Sequence, residues 1–328
     1  MNLHNFVELC MCPAPLGNEH TAKQLIRSML PNGLEISEDV AGSAIVRKPG
    51  EKPGLTFFAS LSQPVVLVTG KKSDGAWELQ PLGTGKTLEP MNGWKVMDSG
   101  GAQAKLEVKD GELRLTEDKG VQIGSLLTRQ PDWTQDVLSV SCAGIEDRVG
   151  CWLLTELLRE MPDVEAEITC IFLAQEQHCP KVAELAMNET DAAVAIRLAS
   201  AKVNDINLTG APVNAGGGPV LKLRERYVST DGRLMDLERM ACREAGVPFQ
   251  YEVLELDATG LYTAQYGHCG VVVGGIDVPA EEGRILLTDL RNTRALVMQL
   301  AANADQIQQA LCSLPAVQHL VQATKGER

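Results

Sequence analysis

The sequence has no run approaching the roughly 18 apolar residues that a membrane-spanning helix needs, although 44% of its 328 residues are hydrophobic. Its opening, MNLHNFVELC, lacks the basic flank and apolar stretch of a signal peptide. No membrane partner is therefore expected, and a cytoplasmic location is. Positive charge is also short. The 30 Lys and Arg stand against 43 Asp and Glu, a net charge of −13. Phosphate binding needs clustered cations to displace counterions, so nucleic acid and anionic membrane are poor partners. A disulfide framework is missing too: the nine cysteines are odd in number and scattered, several inside apolar runs where a thiol behaves as a small hydrophobe. No repeat of fixed period and no low-complexity tract occurs. What remains is an acidic globular chain, long enough for one large domain or two unequal ones, and expected to self-associate.

Periodicity divides the chain. Ala22, Leu25, Ile26, Met29 and Leu30 fall at helical spacing, and Pro31-Asn32-Gly33 ends that helix. Residues 34–59 alternate between turn signals and close in an apolar run, as strands do. From about 64 to 138 the texture becomes short runs such as Val65–Val68 and Leu113–Leu115 between Gly and Asp turns, with no long helix. That segment reads as a small β-barrel. From Arg148 helix and strand alternate again, which defines an α/β class with a central sheet sandwiched by helices. The expected division is 1–63 plus 139–328 as the α/β domain and 64–138 as an inserted barrel.

The stretch Ala143-Gly-Ile-Glu-Asp-Arg-Val-Gly-Cys151 resembles the Asp-Asp-Arg-Val-Gly-Cys segment of the glutamyl and tetrahedral (TET) aminopeptidases, two-metal exopeptidases. Further likenesses follow in order: Pro15-Leu-Gly-Asn-Glu19, Glu38-Asp-Val-Ala-Gly42, Pro81-Leu-Gly83, Gly120-Val-Gln-Ile-Gly124, Gln175-Glu176, Gly218-Pro219 and Asp289-Leu-Arg-Asn-Thr293. The resemblance implies a metallo-exopeptidase-like fold, dimers, and assembly up to a dodecamer.

It also implies a chemistry, in which two divalent metals about 3.5 Å apart polarise a carbonyl and activate a bridging water. The five ligand positions implied are Ser60, Glu146, Gln177, Arg197 and Arg284. Only Glu146 keeps a ligating side chain there. Ser60-Leu-Ser-Gln63 stands where a His-x-Asp-Glu turn is implied, and a guanidinium repels a cation. Glu176 occupies the implied general-base position. The Thr-Asp-Ala turn of the family becomes Thr259-Gly260-Leu261.

The expectation is thus a family member that is not a peptidase and takes no metal cofactor. It would bind a peptide or small anion through Arg197 and Arg284, Arg pairs being suited to carboxylates, or serve structurally. The alternative is an active aminopeptidase holding one metal, zinc or cobalt, through Glu146 and Glu176; a third is metal-free chemistry with Glu176 as acid or base. Arg197 and Arg284 are expected to converge where the family holds its metals, with Glu146 and Glu176 neutralising them and Glu176 paired with Arg197 or Arg284. Other candidates carry less. Cys10-x-Cys12 lacks the four ligands of a zinc site, and Cys179 beside His178 has no reason to meet a second His. Gly83-Thr-Gly-Lys-Thr87 misses the first glycine of a phosphate loop, and Gly216-Gly-Gly218 precedes a strand, so both read as turns.

Overall fold

In the computed structural model, residues 2–83, 88–179, 181–192, 194–205, 210–226, 228–255 and 271–312 are described. The chain opens with α1 (His4–Met11) and α2 (His20–Met29), then β1 (Glu35–Glu38), β2 (Ala44–Lys48) and β3 (Lys52–Ser60). Next come β4 (Val65–Lys71), β5 (Trp77–Leu82), β6 (Lys95–Met97), β7 (Gln103–Lys109), β8 (Glu112–Lys119) and β9 (Leu126–Arg129). The remainder runs β10 (Thr134–Gln135), β11 (Ser139–Ser141), α3 (Val149–Arg159), β12 (Ala166–Leu173), α4 (Val182–Met187), β13 (Val194–Lys202), β14 (Val220–Glu225) and β15 (Val228–Ser229). It ends with α5 (Gly232–Glu244), β16 (Gln250–Leu254), β17 (Val272–Ala280), β18 (Arg284–Leu286), α6 (Leu287–Ala302) and α7 (Ala304–Cys312).

The large sheet has the order β1-β2-β12-β3-β13-β17-β14-β15, with β16 added beside β14. Its centre, β12-β3-β13-β17, is parallel. Parallel strands joined by helical crossovers are covered on both faces, and their sequences are correspondingly apolar, as in Cys170-Ile-Phe-Leu173 and Leu55-Thr-Phe-Phe-Ala59. Side-chain alternation divides those runs. Phe57, Ile196 and Ile276 enter the larger core with Trp152, Leu234 and Leu296 of the helices. Phe58, Ala195 and Val273 face the other way, where α4 covers them with Val182, Ala186 and Met187.

Strands β4 to β9 form a second sheet of order β5-β4-β9-β6-β7-β8, whose ends β5 and β8 meet and nearly close a small barrel. It has a core of its own around Val66, Val68, Val96, Leu106 and Leu127. The expected fold class, α/β with a central sheet between helices and a barrel-like second sheet, is the one observed. Unforeseen was a small third sheet, β10-β11-β18, which sets Arg284 opposite Ser141. The Thr259-Gly260-Leu261 turn and residues 84–87 of the phosphate-loop-like stretch lie outside the described residues, as does the end, beyond 312, of a last helix that the sequence predicts over 305–323.

Candidate functional site

The parallel strands end at one edge, and three turns meet there. Their common anchor is Glu19, in the turn before α2. Its Oε1 accepts from the Gly17 amide (3.0 Å), the Ser62 hydroxyl (2.7 Å) and the Gln175 amide (3.1 Å). A single buried carboxylate oxygen thus ties the turn after β3 to the turn after β12, and it satisfies the Ser62 hydroxyl, which would otherwise be buried without a partner. Gln175 sits at φ 58°, a left-handed conformation that a non-glycine residue adopts only under constraint, and Glu176 and Gln177 follow it.

The third turn precedes α3. Gly144 has φ 74°, and the chain then winds through one short 3-10 turn into the helix. A Cβ on Gly150 would stand 2.3 Å from the Leu198 carbonyl oxygen, so only glycine allows α3 to lie this close to the sheet. Buried Arg148 fixes the turn by donating to the carbonyls of Leu61 (2.6 Å) and Cys12 (3.1 Å). Cys151 donates to the Ser60 carbonyl at 3.1 Å.

These turns face the barrel across a cavity of about 260 Å³. The sheet side offers Gln63, Pro64, Gly144, Glu146 and Asp147; the barrel side offers Gly83, Pro90, Met91, Trp94 and Arg129. Glu146 Oε1 accepts from the Gly283 amide at 2.5 Å. Burial raises the Glu146 carboxyl above its ordinary pKa, against the pull of that amide and of Arg129. Asp147 Oδ1 accepts from Gln177 Nε2 at 2.8 Å. Burial, and then the neighbouring Glu146 charge, push Asp147 up to about 7.

The remaining expected residues do not join this group. The Ser60 hydroxyl is buried without a hydrogen bond among the described residues. Arg197 lies on β13 level with Phe58, and continuing that register puts Ala199, another non-ligand, level with Ser60. Arg197 Nη1 stands 3.8 Å from Glu225 Oε2. Burial pulls its pKa down, but Glu225, Asp277, Glu176 and Glu252 together hold it above the ordinary value. Glu176 is buried and acts on Arg197 through charge. Lys222 extends the group by pairing with Glu252 and with Asp277 (2.9 Å), all three buried. Arg284 takes different partners: its Nε donates to Ser139 Oγ (3.1 Å) and its Nη1 to Glu281 (2.8 Å). The two arginines were expected to be neutralised in one cleft by Glu146 and Glu176; instead, Arg197 is embedded in a strand-borne ionic cluster and Arg284 lies half-exposed on the small third sheet.

Among the described residues, no three His, Cys, Asp or Glu side chains gather in a way that could hold a metal ion. His178 and Cys179 are exposed. The glycine turn at 216–218 wraps a carboxylate rather than a phosphate: Asp289 accepts from the amides of Gly216 (2.7 Å) and Gly218 (3.0 Å). Asp147, Arg129, Trp94 and the anchoring role of Glu19 escaped sequence reasoning. Asp147 and Glu19 stood inside the motifs that carried the resemblance, whereas Arg129 and Trp94 had no local signal.

A sheet of this topology, with a barrel-like sheet following β3, is the architecture of the TET aminopeptidases. The chain superposes on the TET aminopeptidase of the marine sediment archaeon Thaumarchaeota archaeon SCGC AB-539-E09 with a TM-score of 0.83 and 17% identity, covering 94% of this chain and 99% of that one. An aminopeptidase from Desulfurococcus kamchatkensis gives 0.84 and 17%, over 95% and 98%. The Pyrococcus horikoshii TET1 peptidase, which can assemble into a tetrahedron or a large octahedral shell, gives 0.78 and 18%, over 91% and 98%. Beyond the fold, the sequence profile of the M42 glutamyl aminopeptidases matches residues 108–288, more than half of the chain, and the chain belongs to that family.

Proposed function

We propose that this chain is an M42 family member that does not carry out two-metal peptide hydrolysis, and that its cleft between sheet and barrel binds a small ligand. The observation that carries this reading is the donor set. At the positions where the resemblance implies ligands, Ser60 offers a hydroxyl, Gln177 an amide already engaged by Asp147, Arg197 a guanidinium beside Glu225, and Arg284 a guanidinium on Glu281. Of the five, only Glu146 is a carboxylate, and one of its oxygens already takes the Gly283 amide. Two divalent cations need several oxygen or nitrogen donors each, so these residues do not fit a dinuclear centre. Glu176, at the implied base position, acts on Arg197, which suits a charge-balancing role. Both arginines have carboxylate partners, so the acidic cleft, rather than an arginine pair, is the better place for a ligand.

On this reading residues 64–138 are an inserted module that supplies one wall of the cleft, and 1–63 with 139–328 supply the other. Self-association follows by analogy with the structural neighbours, one of which is a dodecamer and another of which forms a tetrahedron or an octahedral shell. Light scattering should show at least a dimer, and a 35.4 kDa species alone would reject this. The seven free thiols among the described cysteines suit a reducing, cytoplasmic setting.

Elemental analysis and hydrolysis assays on aminoacyl substrates after metal soaking test the main claim. Substoichiometric metal and no hydrolysis are expected. Close to two metals per chain with chelator-sensitive hydrolysis would overturn it. One zinc or cobalt per chain with activity lost on substituting Glu146 or Glu176 would establish the single-metal hydrolase instead.

A further inference from the structure

Arg129 ends β9 and lines the cleft from the barrel side. Its guanidinium carbon lies 4.4 Å from the centroid of the Trp94 ring. Among the described residues it makes no ion pair and no side-chain hydrogen bond. Arg148, Arg197 and Arg284, by contrast, are each engaged by carbonyls or carboxylates. The charge of Arg129 acts on Glu146 and Asp147 across the cleft, but no acid among the described residues contacts it, so its donors are open to a ligand acid. The Trp94 ring holds the guanidinium over its face without using its N–H donors, and a guanidinium with free donors can take a carboxylate through two parallel hydrogen bonds.

Glu146 and Asp147 line the same cavity from the sheet side. Each is held in place by one donor, the Gly283 amide or the Gln177 amide, and the cations that act on them, Arg129 on both and Arg148 on Asp147, do so through charge, without an ion pair among the described residues. The same lining includes the apolar side chains of Pro64, Pro90 and Met91. The cavity, about 260 Å³, is smaller than the roughly 300–1,000 Å³ of sites for drug-sized ligands.

We propose that this cleft takes a small zwitterion, a free amino acid or dipeptide, with its carboxylate on Arg129 and its ammonium on Glu146 and Asp147. The inference rests on the reading of the cleft as a binding site and adds a ligand class and a receptor residue. A ligand held at both ends is limited in length by the span between Arg129 and the two acids.

Calorimetric titration of the native assembly with alanylalanine, its C-terminal amide and its N-acetyl derivative tests this. The free dipeptide, or failing that free alanine, should bind, and blocking either end should weaken binding by about ten-fold or more. Arg129→Gln should weaken the free dipeptide to the level of the amide while leaving the amide unaffected, Arg129→Lys should restore part of the loss, and Trp94→Leu should weaken both. Circular dichroism on each variant separates misfolding from lost recognition. If the amide binds as well as the acid, or Arg129→Gln changes nothing, the receptor role is overturned while the cleft remains a binding site. Release of free alanine from the dipeptide during titration would overturn the non-peptidase reading instead. No binding of any probe overturns the zwitterion site.

Discussion

Gln177 Nε2 donates to Asp147 Oδ1 at 2.8 Å, joining the turn after β12 to the turn that opens α3. Where the resemblance implies a second carboxylate, an amide supplies a donor, and it lowers the pKa of an acid that burial and Glu146 would otherwise push higher. The substitution converts a repulsive pair, which a cation would have to bridge, into a self-sufficient contact.

Restoring the carboxylate should therefore harm the protein. Gln177→Glu places a third acid against Asp147 and Glu146 and should lower stability at neutral pH by about 1–3 kcal/mol, the usual cost of orphaning a buried polar group. Denaturant unfolding at pH 7 measures it. An unchanged midpoint would mean that the hydrogen bond has no energetic role, and recovery on adding a divalent cation would show that the site can still be turned toward metal.

Arg197 and Arg284 should respond very differently to truncation. Arg197→Ala removes a cation 3.8 Å from Glu225, which is fully buried, and breaking a buried pair costs up to about 3–5 kcal/mol. Arg284→Ala breaks a half-exposed pair with Glu281, worth about 0–1 kcal/mol. Thermal denaturation of both variants decides the point. Equal losses would return the two arginines to a shared cleft.

Helix and strand alternation was legible because apolar periodicity is local. The residues of α3 and the buried run of β12 follow the spans that apolar periodicity predicts, Gly150 to Met161 and Glu167 to Ala174, to within two residues. The ionic cluster was not legible. Val220-Leu-Lys-Leu-Arg-Glu225 alternates like a strand with one wet face, yet Lys222 is buried because β16 and β17 bring Glu252 and Asp277 to it from distant parts of the chain. Strand β13, which the apolar run predicts from Ala192 to Leu198, likewise continues to Lys202. The small residues Ala199 to Ala201 carry no strand signal of their own and are held by pairing with Asp277 to Pro279 of β17. In the site, the motif positions could be read from sequence, but not what each side chain touches: the partner of Arg284 comes from the Glu281 turn, and Arg129 reaches the cleft only because the barrel folds against the sheet.

Glu19 should act as a positioning residue for the whole edge. Glu19→Ala removes the acceptor shared by Gly17, Ser62 and Gln175, leaving a buried hydroxyl and amides unpaired at about 1–3 kcal/mol for each fully buried group. Glu19→Gln keeps a carbonyl acceptor and should recover much of the loss. Hydrogen exchange should report the damage first at the Gln175 amide. If that amide stays as protected in Glu19→Ala as in the parent, the anchor is not needed to hold the turn.

Glu238 gives a prediction with a defined pH signature. It lies on α5, fully buried, and neither carboxyl oxygen has a hydrogen-bond partner among the described residues. Burial raises its pKa to about 8, with Arg239 opposing only weakly. A raised carboxylate pKa means that the folded protein keeps a proton the unfolded chain releases. Below the ordinary glutamate value of about 4.3 both states are protonated and this group contributes no pH dependence. Between that value and about 8 the unfolded chain binds fewer protons, so stability falls as pH rises; above about 8 the slope vanishes and the full penalty persists. Glu238→Gln cannot ionise, so its stability relative to the parent should grow steadily from pH 5 to pH 8 and level off beyond, by an amount on the order of a few kcal/mol at about 1.4 kcal/mol per pKa unit. Glu238→Leu should show the same slope with a larger offset, because it also removes the unpartnered polar atoms from the core. Every other titrating group is common to parent and variant and cancels in the difference. Denaturant titrations at pH 5, 6.5 and 8.5 provide the test, and a difference that stays flat across that range would mean that Glu238 is ionised in the folded protein and has found a cation.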